Sequence, residues 1–228
     1  MIRRALAVVA AVVITSGSSA SADGPKDSFN AAVNATASAK TARVAITQHV
    51  TVKGRTTDSS ATGVLAAGDQ DLHLSGESGG SHRIAVGTKV KERRPDAAGQ
   101  PWRESARNLP AQPTALGPLT LADGTSIGDP KLYATVTDVG IETLPRGQAR
   151  KLIGELDMAA VATAMQLSPD DRARMATWTG TLTLWVGADG KVVRNAVHLL
   201  IPSASGPTAI DAEIDLSDLD APLTVTLP

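Results

Sequence analysis

Leu182-Thr183-Leu184-Trp185-Val186-Gly187-Ala188-Asp189-Gly190-Lys191-Val192-Val193-Arg194 is the stretch whose reading decides the fold. Leu182, Leu184 and Val186 alternate with Thr183 and Trp185, the period of two that lays one face of a strand on a core. Ala188-Asp189-Gly190 supplies a tight turn, because Asp and Gly accept the backbone conformations that close a hairpin. Val193, Val197, Leu199 and Ile201 then run back as the partner strand. The connection is therefore an antiparallel hairpin and not a crossover helix. Ile210, Ala212, Ile214 and Leu216 alternate with Asp211, Glu213 and Asp215, which predicts a further strand with an acidic outer face. Leu223, Val225 and Leu227 predict a last strand after it.

The same period fills the first half of the chain. A thin apolar stripe of Phe29, Val33 and Ala37 predicts a short helix between Asp27 and Lys40. Val44, Ile46, Val50 and Val52 then alternate with Arg43, Thr47, His49 and Lys53. Leu72 and Leu74 alternate with Asp71, His73 and Ser75, and Ile84, Val86 and Val90 read as one run against Arg83, Lys89 and Lys91. Lys53-Gly54, Gly68-Asp69 and Gly76 to Ser81 are the turns of a meander. The stretch from Arg94 to Gly128, rich in Pro and Gly, reads as a long irregular connection. Asp129-Pro130 opens a predicted short helix containing Leu132, Tyr133 and Val136, with strand propensity in Thr135 to Thr137 competing. Val139 to Thr143 and Gln148 to Met158 predict strands around a turn at Pro145-Arg146-Gly147. Met158 to Met165 predicts a helix, and Ser168, an N-cap before Pro169-Asp170-Asp171, starts another that ends near Ala176. The fold class is α+β: a large antiparallel sheet with three or four short helices, in a single domain over residues 23–228.

Residues 1–22 are set apart from that domain. Arg3 and Arg4 precede an apolar run from Ala5 to Ile14, then small polar residues, then Ala20-Ser21-Ala22, the pattern of a secretory signal peptide cleaved near Ala22-Asp23. Little around the arginine pair supports twin-arginine export, so general secretion is expected. The apolar run falls short of the roughly 20 residues of a membrane span, so the expected product is secreted or extracytoplasmic with no transmembrane segment.

Composition excludes several function classes. With 22 basic and 23 acidic residues the net charge is -1, which provides no global field for nucleic acid or an anionic membrane. Cys is 0, which removes disulfides, thiolate metal sites, thiol nucleophiles and acylation at cysteine. Aromatic residues make up 2% of the chain, too few for a base-stacking platform.

No chemical motif survives its context. Gly76-Glu77-Ser78-Gly79-Gly80 matches the G-x-S-x-G elbow, but an alternating strand follows it where that motif needs a helix, so it reads as a hairpin loop. His49, His73, His82 and His198 lie in separate segments without the spacing of a metal motif, and are expected on the wet faces of strands. Asp170-Asp171 is explained by helix capping, and Asp211, Glu213 and Asp215 by strand alternation. Asn34-Ala35-Thr36 matches the N-glycosylation pattern by chance, and the basic cluster from Lys89 to Arg94 reads as a solvated strand end. The chain is expected to be no enzyme, with no catalytic residue, metal or cofactor.

One architectural argument points to a ligand. A sheet of about ten strands exposes more apolar face than a few short Ala-rich helices can cover, while native interiors are close-packed. Either the sheet curls on itself or an apolar hollow remains, and such hollows take hydrophobic ligands.

The order of segments carries a resemblance. The N-terminal helix, the long meander, Gly99-Gln100-Pro101-Trp102, Asp129-Pro130-Lys131-Leu132, Val139-Gly140-Ile141-Glu142, the hairpin from Trp185 to Arg194 and the stretch from Ile210 to Pro222 together resemble the LppX/LprAFG family. These are actinobacterial cell-envelope proteins with a fold like the LolA-type lipoprotein carriers. The resemblance implies a half-open β-barrel, helices on its concave face and an apolar cavity for the acyl chains of lipids or glycolipids. It makes Val44, Ile46, Val50, Val52, Leu72, Leu74, Ile84, Val86 and Val90 the candidate cavity residues, all on the concave face. It also implies lipid transport in the envelope, with transient contact to a membrane or an export partner. Family members commonly carry a lipobox cysteine that this chain lacks. Two function classes stay open: a lipid-binding or lipid-transfer protein, and a secreted interaction module with a filled core.

Overall fold

The computed structural model describes residues 24–77, 79–94, 99, 101–106 and 128–228. The stretch read as a signal peptide, Ser78 and most of the Pro-rich connection lie outside the described residues.

Helix α1 spans Pro25–Ala37 and begins with Pro at its first position, where the missing N–H costs nothing. Its predicted stripe is its buried face: Phe29, Val33 and Ala37 are all buried, with Ala32 and Thr36 beside them. Five strands follow as a meander, β1 (Thr41–Val52), β2 (Arg55–Ala66), β3 (Asp69–Gly76), β4 (Ser81–Val86) and β5 (Lys89–Arg93), then a short β6 (Arg103–Ala106). The first two-residue turn falls where the sequence places it, at Lys53-Gly54, and the second one residue earlier than expected, at Ala67-Gly68, with Asp69 already in β3. Lys53 and Gly54 both take positive φ, as do Ala67 and Gly68.

The second half opens with a single 3-10 turn, Pro130–Leu132, capped by the Asp129 side chain. A longer helix does not form there: Tyr133–Leu144 is strand β7, and the β-branched Thr135, Val136 and Thr137 that competed in the sequence prevail. Strand β8 (Gly147–Leu156), helix α2 (Met158–Ala164), helix α3 (Pro169–Met175), β9 (Thr179–Val186), β10 (Val192–Ile201) and β11 (Thr208–Ser217) complete the order. Asp157 and Ser168 cap α2 and α3 through their side-chain oxygens. Leu223, Val225 and Leu227 belong to no strand, which corrects the expected last one.

The eleven described strands form one sheet in the order β6-β5-β4-β3-β2-β1-β11-β10-β9-β8-β7, with every described pairing antiparallel. The first and last strands, β1 and β11, pair at the centre, so two meanders grow outward from them. The described helices pack on one face. Phe29, Val33, Leu132, Tyr133, Met158, Val161 and Met175 bury Leu152, Leu182, Leu184 and Val192 beneath them. Gly154 leaves room for the Tyr133 ring, which a Cβ there would overlap. Thr36, fully buried, ties α1 to β10: its hydroxyl donates to Ala32 O and accepts from Val192 N, each at 2.7 Å.

Candidate ligand-binding face

Register assigns each predicted cavity residue to a face, since directly paired residues project the same way. Val44 lies between Leu216 and Gly63, and Ile46 between Ile214 and Ala61. Val50 and Val52 pair with Ile210 and Thr208. Leu72 and Leu74 pair with Gly63 and Ala61, and so join the same face. Ile214 pairs with Asn195 and Asn195 with Leu184, so this is also the face that carries the helices.

Two residues of the nine do not belong. Gly87 and Thr88 form a turn, with Gly87 at positive φ and its N–H donating to Asp69 Oδ1 at 2.8 Å. The run from Ile84 to Val90 is thereby folded into the β4–β5 hairpin. Val90 pairs with Ala85 and stays on the helix-bearing face, whereas Ile84 pairs with Asp71 and Lys91 and Val86 with Lys89, on the opposite face. A continuous strand would have kept all three together.

The helix-bearing face divides in two. Over β7 to β10 it is covered by helices. Over β1, β2, β3 and β11, Ala42, Val44, Ile214 and Leu216 form a second cluster with Ile46, Leu65, Leu72 and Leu219 packed against it, Ile210 and Ala212 form a third with Val50, Leu199 and Ile201, and among the described residues no helix residue takes part in either. Ile46, Val50, Val52, Leu72 and Leu74 are half-buried, while Val44 and Val90 are buried. Asn195 lies on the same face where the two halves meet, 1% exposed, and neither its amide nitrogen nor its oxygen has a hydrogen-bond partner. Gln48 Nε2, on the same face, is buried and unpartnered too. Neither residue is signalled by hydrophobic alternation, because each is a polar residue at a position the pattern assigns to the core.

The opposite face is polar and charge-compensated. Arg194 bridges Asp215 at 2.7 Å and Glu213 at 3.4 Å, and Trp185 lies beneath the Lys151 and Arg194 cations. His49 contacts Asp58 at 2.7 Å and His198 contacts Asp211 at 2.5 Å, so the acidic strand is answered by cations and imidazoles. The Asp58 carboxylate, and Asp211 behind it, hold the His49 pKa above its ordinary value. An open groove of about 380 Å³ on this face is lined by His49, His198, Asp211 and Glu213 among others, and by none of the nine predicted residues. His49, His73 and His198 are exposed as expected, but His82 is half-buried. Pairing of β3 with β4 sets His73 directly opposite His82, although their sequence spacing suggests no site. Glu77 and Gly79 lie in the loop between these antiparallel strands, which is not the strand-to-helix elbow a serine nucleophile requires.

Among the described residues no helix is long and apolar enough to cross a membrane. No family model matches the chain. No curated protein matches it either. Solved structures do. The Mycobacterium tuberculosis lipoprotein LppX aligns over 89% of this chain and 98% of its own at 14% identity, with a TM-score of 0.56. LprF from Mycobacterium bovis aligns over 90% of this chain and 96% of its own at 15% identity, with a TM-score of 0.47. A DUF1329 family protein from Desulfovibrio piger aligns over 89% and 95% at 11% identity, with a TM-score of 0.29. At these identities the likeness is one of fold, and the first of the three carries it: the chain has the LppX fold, an open, curved antiparallel sheet with its helices on one face.

Proposed function

We propose that this chain is an exported, non-enzymatic protein that holds the acyl chains of a lipid or glycolipid against the half of its sheet that the helices leave bare. The observation that carries the reading is the second apolar cluster, which among the described residues is built from strands and Leu219 without a helix. Val44, Ile46, Val50, Val52, Leu72, Leu74 and Val90 offer the aliphatic surface; Ile84 and Val86 take no part, being on the other face. Fold-sharing with a mycobacterial lipoprotein supports this reading. Buried polar atoms without partners are few in native proteins and call for an occupant or a water. Asn195, at the border of the bare half, is suited to a ligand's ester or amide group, since it offers one donor and one acceptor side.

Arg3-Arg4 and Ala20-Ser21-Ala22 direct export, with cleavage near Asp23, and the absence of Cys leaves the product without a thioether lipid anchor. Such a protein ferries lipid between layers of the envelope. The test is native mass spectrometry of the exported chain, followed by organic extraction. The expected spectrum shows the chain starting near Asp23 together with one or more lipid masses. A bare mass in every preparation, with no uptake of offered phospholipid or glycolipid, sinks the carrier reading and leaves the filled-core interaction module.

A further inference from the structure

On the outer face, away from the proposed lipid surface, Asp71 and His73 of β3 and His82 of β4 bring one carboxylate oxygen and two imidazole nitrogens within 4.8 Å of one another. We propose that these three residues form a binding site for a divalent transition-metal ion of the zinc class. The strand pair builds the geometry. Asp71 and His73 are two residues apart and so share a face, and His82 is the direct cross-strand partner of His73. The two imidazoles stack at 3.9 Å between centroids and 21° between planes.

His82 is oriented from two further sides. Its Nε2 lies 2.6 Å from Asp71 Oδ1, and its ring meets the edge of Trp102 at 5.0 Å. Arg93, the cross-strand partner of His82, lies over the Trp102 ring at 4.7 Å. The other two histidines stack on no imidazole among the described residues: His49 contacts Asp58 and His198 contacts Asp211. Two imidazoles and a carboxylate with no thiolate suit zinc, nickel or copper(II), and exclude the soft sulfur sites. Metal bonds of about 2.0–2.1 Å bring ligand atoms nearer than 4.8 Å, so His73, the exposed member, turns inward on binding. Ligation through Nε2 places the His82 ring hydrogen on Nδ1, the tautomer in which Nε2 and the Asp71 carboxylate both face the ion. Remaining coordination positions face solvent and are open to water or to an anionic group of a partner.

The test titrates Zn2+ into the full chain, purified without a histidine tag, by calorimetry, with Co2+ absorption as a second readout of the coordination sphere. The expected result is stoichiometric uptake of a single ion per chain, weakened about tenfold or more in His73→Ala and in Asp71→Asn. A His49→Ala/His198→Ala double variant should bind as the parent does. His73 is exposed, so its variant should keep the parent's thermal unfolding in the absence of metal, which separates lost binding from lost fold. Absence of stoichiometric uptake, an unchanged affinity in His73→Ala, or loss of binding in the His49/His198 variant instead would each overturn the site.

Discussion

On the carrier reading, Asn195 sets stability against function within one side chain. Leaving a buried amide donor and acceptor unpaired costs about 1–3 kcal/mol, and Asn195 is unpaired at both atoms between Leu184 and Ile214. Leucine has nearly the shape of asparagine without its polarity. Asn195→Leu should therefore raise the stability of the ligand-free chain by about 1–3 kcal/mol in denaturant unfolding, while lowering the lipid recovered by extraction. A variant less stable than the parent would mean that an ordered water satisfies the amide. His49 gives a second residue-scale expectation. Its pKa is raised first by the hydrogen bond to Asp58, then by the Asp58 and Asp211 charges. A raised pKa means that the folded state holds the proton more tightly. The contribution to stability is thus complete below the unfolded value near 6.5 and disappears as pH rises through the folded value above it. An NMR titration of the His49 ring should show its midpoint falling in Asp58→Asn. Identical midpoints in parent and variant would remove Asp58 as the cause.

The C-terminal tail shows how an element can look like a strand and not be one. Leu223, Val225 and Leu227 are half-buried and alternate with exposed residues, as in a strand, but the tail enters no ladder. It is tied instead at its ends. Asp220 N donates to Thr41 O at 3.0 Å, Thr41 Oγ1 donates to Ala221 O at 2.5 Å, and Lys91 Nζ donates to Pro228 O at 2.7 Å. Thr41 and Lys91 both belong to the outer face, one on β1 and one on β5, so the tail runs across the strands rather than along them. Lys91 is the cross-strand neighbour of Ile84, an outer-face isoleucine that is only 4% exposed. Deleting residues 222–228 should cost at most about 4 kcal/mol, from three half-buried aliphatic side chains, and should speed amide exchange in β4 and β5 before β9 and β10. Uniform exchange across the sheet would show that the tail secures nothing local. Alternation makes β1, β9, β10 and β11 legible because each has one wet and one buried face. It fails at β2, whose Thr56-Thr57-Asp58-Ser59-Ser60 is polar on both faces and is implied only by the turns at its ends. It misleads at Gly87-Thr88, where a turn inside an apparently continuous run moves Ile84 and Val86 to the other face. The grouping of Asp71, His73 and His82 depends on register between two strands, which residue spacing along one chain does not express.

At the scale of the molecule, one sheet face has two kinds of apolar surface, and they should respond differently to bulk. Leu184 is 1% exposed under the helices and belongs to a close-packed core. Added volume has nowhere to go there, and overpacking costs roughly 1–3 kcal/mol or more. Ile46 and Leu74 are half-buried on the same face, outside the helix-covered cluster. If acyl chains occupy the space above them, a tryptophan at either position takes that space without straining the protein. Val86, on the outer face, supplies the control that the reassigned register makes possible. Leu184→Trp should lower the unfolding midpoint clearly. Ile46→Trp and Leu74→Trp should leave it within about 1 kcal/mol of the parent while displacing bound lipid, and Val86→Trp should leave lipid content unchanged. Each variant is measured by thermal unfolding and by extraction from the same preparation, so a change in lipid cannot be mistaken for loss of fold. Loss of stability at Ile46 and Leu74 with lipid unaltered would show that the bare half of the sheet is packed by the chain itself, and the carrier reading would lose its structural basis.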